Sequence, residues 1–152
     1  MSPDKTIIST IPIRPPTKDD VVAEARKWIN TKWVHQGRSK VGIDCAGLLI
    51  RVGNALGLDV RDMQGYKRSP EGHRFLEHIR GQTDLVRVPE PGCIAVFRQS
   101  YFPCHVGIFT ELHGTLHFVH SYMNLGKVME EQFAHDWPRL LVETRTYRGL
   151  AD

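Results

Sequence analysis

The chain has helical periodicity in its first half and β-strand character in its second, and this order most constrains its fold. Apolar residues recur at helical spacing in segments that predict helices over about 18–30, 45–56 and 70–79. After residue 84 come short runs rich in β-branched and aromatic residues: DLVRV, CIAVF, HVGIFTE, TLHFVHSY and LLVETRTYRG. Helices followed by strands, without alternation, predict an α+β domain with a mostly antiparallel sheet of about five to six strands.

The length of 152 residues suits one domain. Residues 1–16 contain four prolines, which predict an extended N-terminal arm, and residues 17–152 are expected to form the single domain. The N-terminus lacks the basic start and long apolar centre of a secretion signal. We therefore expect synthesis in the cytoplasm. Without an apolar run of about 18 residues, no membrane insertion is expected.

The formal net charge of +3 comes from Lys and Arg scattered along the chain. This argues against specific nucleic-acid binding, which usually shows a basic stripe. Three cysteines, Cys45, Cys93 and Cys104, are an odd number at no zinc-knuckle spacing. We therefore expect neither a disulfide framework nor a cysteine-rich metal site.

Cys45 stands between a glycine-marked loop and the start of the second predicted helix. A buried cysteine is usually a small apolar core residue. At a helix N-terminus, however, the amides and the dipole stabilise a thiolate, which is the nucleophilic form. The preceding Asp44 has two open interpretations: it contacts a substrate amine or braces the loop, or it caps the helix.

The segment HVGIFTELHGTLHFVHSY predicts a hairpin that turns at His113 and Gly114. Such a turn pairs Leu112 with Thr115, and strand alternation then puts His105 and His120 on one face. In the motif HFVH, His117 and His120 have a spacing that would suit a metal on a helix. On a strand this spacing puts His117 and His120 on opposite faces. A cysteine at a helix start and two histidines on a sheet suggest a nucleophile, a general base and a group that orients the base.

Four separated motifs, WVHQGRSKVGIDCAGLL, PEPGCIAVF, CHVGIF and LHFVHSY, resemble those of the NlpC-type cell-wall peptidases over residues 18 to about 130. The HQGR and DCAGL elements resemble the phage-tail branch of that family. The resemblance implies a papain-like α+β fold, with N-terminal helices packed on the sheet and the nucleophile at a helix N-terminus. It also implies no metal or cofactor.

The resemblance further implies hydrolysis of stem peptides of bacterial peptidoglycan, typically at the γ-D-glutamyl to diamino-acid bond. The implied partners are these stem peptides and the proteins of a phage or prophage tail tip, so that the protein would act at the cell wall. The implied catalytic residues are Cys45, His105 and His120. The implied substrate-binding residues are Trp33, His35 and Asp44.

Three residues depart from the family pattern: Trp33 replaces the usual Tyr, Cys93 follows the PG turn in place of Asp, and Ala46 stands where many relatives have Ser. An indole N–H donates a hydrogen bond but accepts none, so Trp33 keeps only part of a tyrosine's role. Trp33 favours an alternative function, a non-catalytic structural or binding component of a phage tail on the same fold. A thiol hydrolase with an unrelated substrate is a further alternative.

Overall fold

A six-stranded antiparallel sheet forms the centre of the structure. The computed structural model describes residues 14–63, 72–99 and 102–151, and for residues 72–73 and 102–104 it describes the backbone alone. The strands lie in the order β3-β8-β4-β5-β6-β7, every neighbouring pair antiparallel. Their bounds are Thr83–Val86 (β3), Ile94–Gln99 (β4), Phe102–Leu112 (β5), Thr115–Tyr122 (β6), Lys127–Gln132 (β7) and Leu141–Tyr147 (β8).

Four α-helices lie within the described residues: Lys18–Arg26 (α1), Cys45–Ala55 (α2), Gly72–Arg80 (α3) and Trp137–Leu140 (α4). Two short strands, Arg38–Ser39 (β1) and Gly42–Ile43 (β2), form a small separate sheet just before α2. The α+β class and the mostly antiparallel sheet predicted from the sequence are confirmed. No helix in the described segments is both long and apolar enough to cross a membrane.

The sheet separates two apolar clusters. On one face, Val106, Ile108 and Val119 pack against the buried residues of the helices, including Leu48 and Val52 of α2. On the other face, Phe97, Phe109 and Phe118 form a second cluster that is covered by Phe133, Trp137 and Leu140. Alternate residues of β5 and β6 thus contribute to different clusters, as strand geometry requires.

The predicted hairpin between β5 and β6 is confirmed. Leu112 pairs with Thr115 and Phe109 with Phe118. The turn residues His113 and Gly114 have φ values of 53° and 77°. Positive φ at both central positions is the geometry of a type I′ turn, whose twist matches that of the strands.

Several boundaries differ from the sequence prediction. The first helix ends at Arg26, where i→i−3 hydrogen bonds from Lys27 and Ile29 replace the α-helical pattern. The Asn30 amide then donates to the Val128 carbonyl at 2.9 Å. The charged strand β7 was not predicted, and β1 and β2 occupy a segment predicted to be a loop. Residues 1–13 of the predicted arm and residues 70–71 of the third predicted helix lie outside the described residues.

Candidate active site

Cys45 is the first residue of α2, and its side chain is half-buried. Asp44 has extended backbone and caps the helix, since its Oδ1 accepts a hydrogen bond of 2.8 Å from the Gly47 amide. The amides and dipole of a helix N-terminus stabilise negative charge in the first turn. The predicted nucleophile therefore lies where the helix N-terminus stabilises a thiolate.

The Asp44 carboxylate is engaged through both of its oxygens. Oδ1 also accepts from Arg38 Nη1 at 2.9 Å, and Oδ2 accepts from the Gln36 amide at 2.7 Å. The side chain is only 5% exposed, and the Arg38 guanidinium offsets its charge beside Cys45. These contacts match the helix-cap and loop-brace interpretation, while a contact of Asp44 with a substrate amine stays a prediction.

His105 on β5 and His120 on β6 form a buried, hydrogen-bonded pair. The Nε2 atom of His105 lies 2.8 Å from the Nδ1 atom of His120, and the ring centroids are 5.0 Å apart. The two residues are 4% and 0% exposed. The predicted shared face of the two histidines is therefore confirmed, and their catalytic roles stay predictions.

Gly107 makes room for this pair. A Cβ atom at position 107 would lie 3.1 Å from the Cβ of His120 and 3.0 Å from the Val119 carbonyl oxygen. Both distances are shorter than ordinary van der Waals contact. A side chain at position 107 would push the Val119 carbonyl and His120 away by a few tenths of an ångström, so glycine suits the close approach of β6 to β5.

Glu131 on β7 extends the hydrogen-bonded pair of His105 and His120, and the sequence did not predict its role. Its Oε2 atom lies 2.5 Å from Nε2 of His120. In the register of β6 and β7, Glu131 is opposite Phe118, which places it on the face of His120 and diagonal to it. No sequence signal pointed to Glu131, because KVMEEQ shows no apolar alternation and β7 itself was not predicted.

The hydrogen-bonding capacities of the three groups assign their protons. An ionised carboxylate only accepts, so the Nε2–H of His120 donates to Glu131. The neutral ring of His120 then presents a bare Nδ1, which accepts from the Nε2–H of His105. His105 is left with an unprotonated Nδ1, the form required of a base that receives a proton from a thiol.

Burial keeps both rings neutral. Desolvation, together with the adjacent His120, lowers the pKa of His105 well below its ordinary value. Desolvation also lowers the pKa of His120, although the hydrogen bond and charge of Glu131 act in the opposite direction. The Trp137 indole contributes to the burial, since its centroid lies 6.0 Å from the His105 ring and 5.2 Å from the His120 ring.

The backbone ladder between β5 and β6 ends short of the two histidines, since its last described pair is Ile108 with Val119. Next to His120, Ser121 points to the helical face and donates a 2.6 Å hydrogen bond to the Ile43 carbonyl. Cys45 follows Ile43 by two residues, so this hydrogen bond holds the start of α2 beside the strand that carries His120.

The arrangement permits a pairing of Cys45 with His105, which stays a prediction. The rings of His105 and His120 contact Phe97 and Phe118 on the face opposite the helices. A cavity of about 110 Å³ beside His105 is lined by Arg98, Gln99, His105, Tyr122, Trp137 and Leu140.

Trp33 and His35 lie on the segment that precedes Cys45. The Trp33 amide donates to the Gly126 carbonyl at 2.9 Å, and Trp33 forms a parallel bridge with Ile43. Its ring stacks on His35 with centroids 6.4 Å apart. Both side chains are half-buried beside the loop of the predicted nucleophile. Their roles in substrate binding stay predictions.

Comparison with known proteins supports the fold. No protein-family model and no curated protein sequence matches the chain. Solved structures do match. An NlpC/P60 family protein from Bacillus cereus superposes with a TM-score of 0.67 at 16% identity, over 89% of this chain and 41% of the other. NlpC1 from Trichomonas vaginalis superposes with a TM-score of 0.64 at 17% identity, over 90% of this chain and 46% of the other.

The NlpC/p60 domain of the peptidoglycan hydrolase SagA matches nearly over its full length. It superposes with a TM-score of 0.56 at 23% identity, over 84% of this chain and 97% of that domain. The present chain therefore spans less than half of the two longer proteins and corresponds in extent to the isolated domain. The shared architecture is the papain-like α+β fold implied by the sequence motifs.

Proposed function

We propose that the protein is an NlpC/P60-type cysteine endopeptidase that hydrolyses stem peptides of bacterial peptidoglycan. The bond proposed is the γ-D-glutamyl to diamino-acid linkage, and the place of action is the cell wall, reached on a phage or prophage tail. The proposal rests chiefly on the buried hydrogen-bonded chain of His105, His120 and Glu131, which leaves a basic nitrogen on His105. Cys45 at the start of α2 supplies the nucleophile.

In the first half of the proposed reaction, Nδ1 of His105 takes the proton of the Cys45 thiol. The thiolate adds to the carbonyl carbon of the peptide bond, and the oxygen becomes an oxyanion that amides at the start of α2 can stabilise. The carbon–nitrogen bond then breaks. His105 transfers its proton to the leaving amine, and the acyl group remains on Cys45 as a thioester.

In the second half, water replaces the amine. His105 takes a proton from the water molecule while the oxygen adds to the thioester carbon. The carbon–sulfur bond breaks, the carboxylic acid leaves, and the proton on His105 returns to the thiolate. The sum of both halves is one water consumed per amide bond, with Cys45 and His105 regenerated.

The deciding experiment is digestion of purified peptidoglycan followed by mass spectrometry of the released fragments, because the new ends identify the bond. We expect fragments with a free D-glutamyl carboxylate and a free diamino-acid amine. Cys45→Ala should abolish their release and leave the thermal unfolding midpoint close to that of the wild type. Cys93→Ala is the matched control, since Cys93 is fully buried in the second apolar cluster.

Unchanged digestion by Cys45→Ala would refute the cysteine mechanism. Absence of digestion by the wild type on several peptidoglycan types would favour the non-catalytic alternative. The tail location is tested separately: immunodetection should find the protein in purified phage or prophage particles at a constant ratio to a tail protein, and its absence from them would remove that part of the proposal.

A further inference from the structure

Two adjacent glutamates on β7 point to opposite faces of the sheet. Glu130 faces the helices, where it forms an ion pair of 2.9 Å with Arg26 and accepts a hydrogen bond of 2.5 Å from the Thr110 hydroxyl. Glu131 faces the histidines and accepts from Nε2 of His120. One carboxylate thus ties β7 to α1 and β5, while the other ends the hydrogen-bond chain of the candidate site.

We propose that Glu131 is a positioning residue that holds His105 in the tautomer with an unprotonated Nδ1. The inference rests on the proposed function, because the tautomer of His105 matters for catalysis only if this ring acts as the base. Glu131 lies beyond His120 and has no described contact with His105 or Cys45. It therefore acts through His120, by deciding which nitrogen of that ring carries the proton.

The alternative proton arrangement shows why the carboxylate is needed. Without an acceptor at Nε2, His120 can carry its proton on Nδ1 and donate it to Nε2 of His105. His105 must then hold its own proton on Nδ1, where the thiol proton has to be received. Such a reversed pair makes the same number of hydrogen bonds between the rings but cannot deprotonate Cys45.

Burial increases the effect of a single carboxylate. His120 is 0% exposed, so water has little access to the ring to replace a missing acceptor. Glu131 is 31% exposed at its side chain, so it lies at the boundary between the buried ring and solvent. The His120 ring, in contrast, is enclosed by Phe118, Tyr122 and Trp137.

The test compares Glu131→Ala, Glu131→Gln and the matched control Glu130→Gln in protein labelled with ¹⁵N-histidine. Long-range nitrogen–proton NMR spectra report which ring nitrogen carries the proton. In the wild type we expect His105 and His120 protonated at Nε2 alone. In Glu131→Ala we expect protonation at Nδ1 in a substantial fraction of both rings. Glu131→Gln should restore part of the native pattern, because its amide oxygen can accept from His120.

Peptide hydrolysis is measured on the same variants. In a Ser-His-Asp triad, loss of the orienting carboxylate lowers kcat by about 10⁴-fold, so we expect Glu131→Ala to lower kcat by roughly 10- to 10³-fold with little change in KM. Glu131→Gln should retain more activity than Glu131→Ala. Glu130→Gln should lower the thermal unfolding midpoint but leave the tautomers and the kcat of the folded protein unchanged.

The two readouts separate this inference from the proposed function. Native tautomers in Glu131→Ala, or an activity loss no greater than its loss of folded protein, would overturn the inference even if the wild type digests peptidoglycan. The converse outcome is that the wild type digests no peptidoglycan while Glu131→Ala still shifts the histidine tautomers. That result would support the role of Glu131 and refute the proposed function.

Discussion

The Nε2 atom of His105 and the Nδ1 atom of His120 lie 2.8 Å apart in a part of the molecule almost closed to solvent. The Nε2–H of His105 lies between the two rings, so protonation of one ring affects protonation of the other. The contact also transmits the choice of tautomer from one ring to the other. Substitutions that disturb this contact should therefore affect activity more than stability.

Selective alkylation should identify Cys45 as the activated thiol. Cys45 is half-buried at a helix N-terminus, whereas Cys93 is buried, and desolvation raises its pKa to about 11. We expect iodoacetamide at pH 6–7 to modify Cys45 at least about tenfold faster than Cys93. Peptide mapping by mass spectrometry over time measures both rates. Equal slow labelling of both cysteines would indicate an inert thiol and favour the non-catalytic alternative.

Gly107→Ala should separate activity from folding. The new methyl group would lie 3.1 Å from the Cβ of His120, so that ring must shift. We expect kcat/KM for peptide hydrolysis to fall roughly 10²-fold, since small displacements of catalytic groups are costly. The free energy of unfolding should fall by about 1–3 kcal/mol, as for other overpacked sites. Both are read from kinetics and urea denaturation of the same sample.

The control for Gly107→Ala is Gly114→Asn in the hairpin turn. Gly114 has a φ of 77°, which Asn tolerates, and a Cβ there meets no atom within 4 Å. It should leave activity close to that of the wild type and lower the free energy of unfolding only modestly, because Asn adopts a positive φ at small cost. If the two variants behave alike, the close approach of β5 to His120 is not needed for activity.

Asp44→Ala should destabilise the protein by about 2 kcal/mol through loss of the α2 cap and of the loop brace. The variant removes the carboxylate that accepts from the Gln36 amide and from Arg38 Nη1, while Arg38 keeps its hydrogen bonds to Asp62. Asp136→Ala is the matched control, because Asp136 precedes α4 without a side-chain cap hydrogen bond and is 80% exposed. Urea denaturation should show a change within about 0.5 kcal/mol for Asp136→Ala. Equal effects of the two variants would contradict the structural role of Asp44.

Stability should decrease as the pH falls below the ordinary histidine pKa of 6.5. Burial lowers the pKa of His105 and of His120 in the folded protein, so the unfolded chain binds protons first. The unfolded state is then favoured progressively until the pH reaches the lowered values of the folded state. Urea unfolding at pH 7.5, 6.5 and 5.5 measures the trend.

His113→Asn at the exposed turn should leave this pH dependence unchanged, because Asn also accepts the positive φ of that position. A direct check is NMR titration of the ring protons, in which His105 and His120 should still be neutral at pH 6.5. Rings that titrate near 6.5 would show that burial does not lower their pKa values.

Local signals in the sequence were sufficient to predict the helix that begins at Cys45 and the hairpin that carries the two histidines. The helical period from Leu48 to Leu56 predicted α2 with Cys45 at its start, and the tight turn at His113 and Gly114 set the register of β5 and β6. Because side chains alternate strictly along paired strands, that register already placed His105 and His120 on one face. Both inferences depend on residues close together in the chain, where spacing alone determines geometry.

The tertiary structure decided what depends on distant segments. The strand β7 has a charged, irregular sequence and forms because it pairs with the open edge of β6, while Val128 exchanges hydrogen bonds with Asn30 and Thr31. That pairing brings Glu131 to His120 and fixes the segment after α1, at Asn30 and Thr31, against β7. Neither result is encoded in local periodicity, because each depends on hydrogen bonds between residues that only folding brings together.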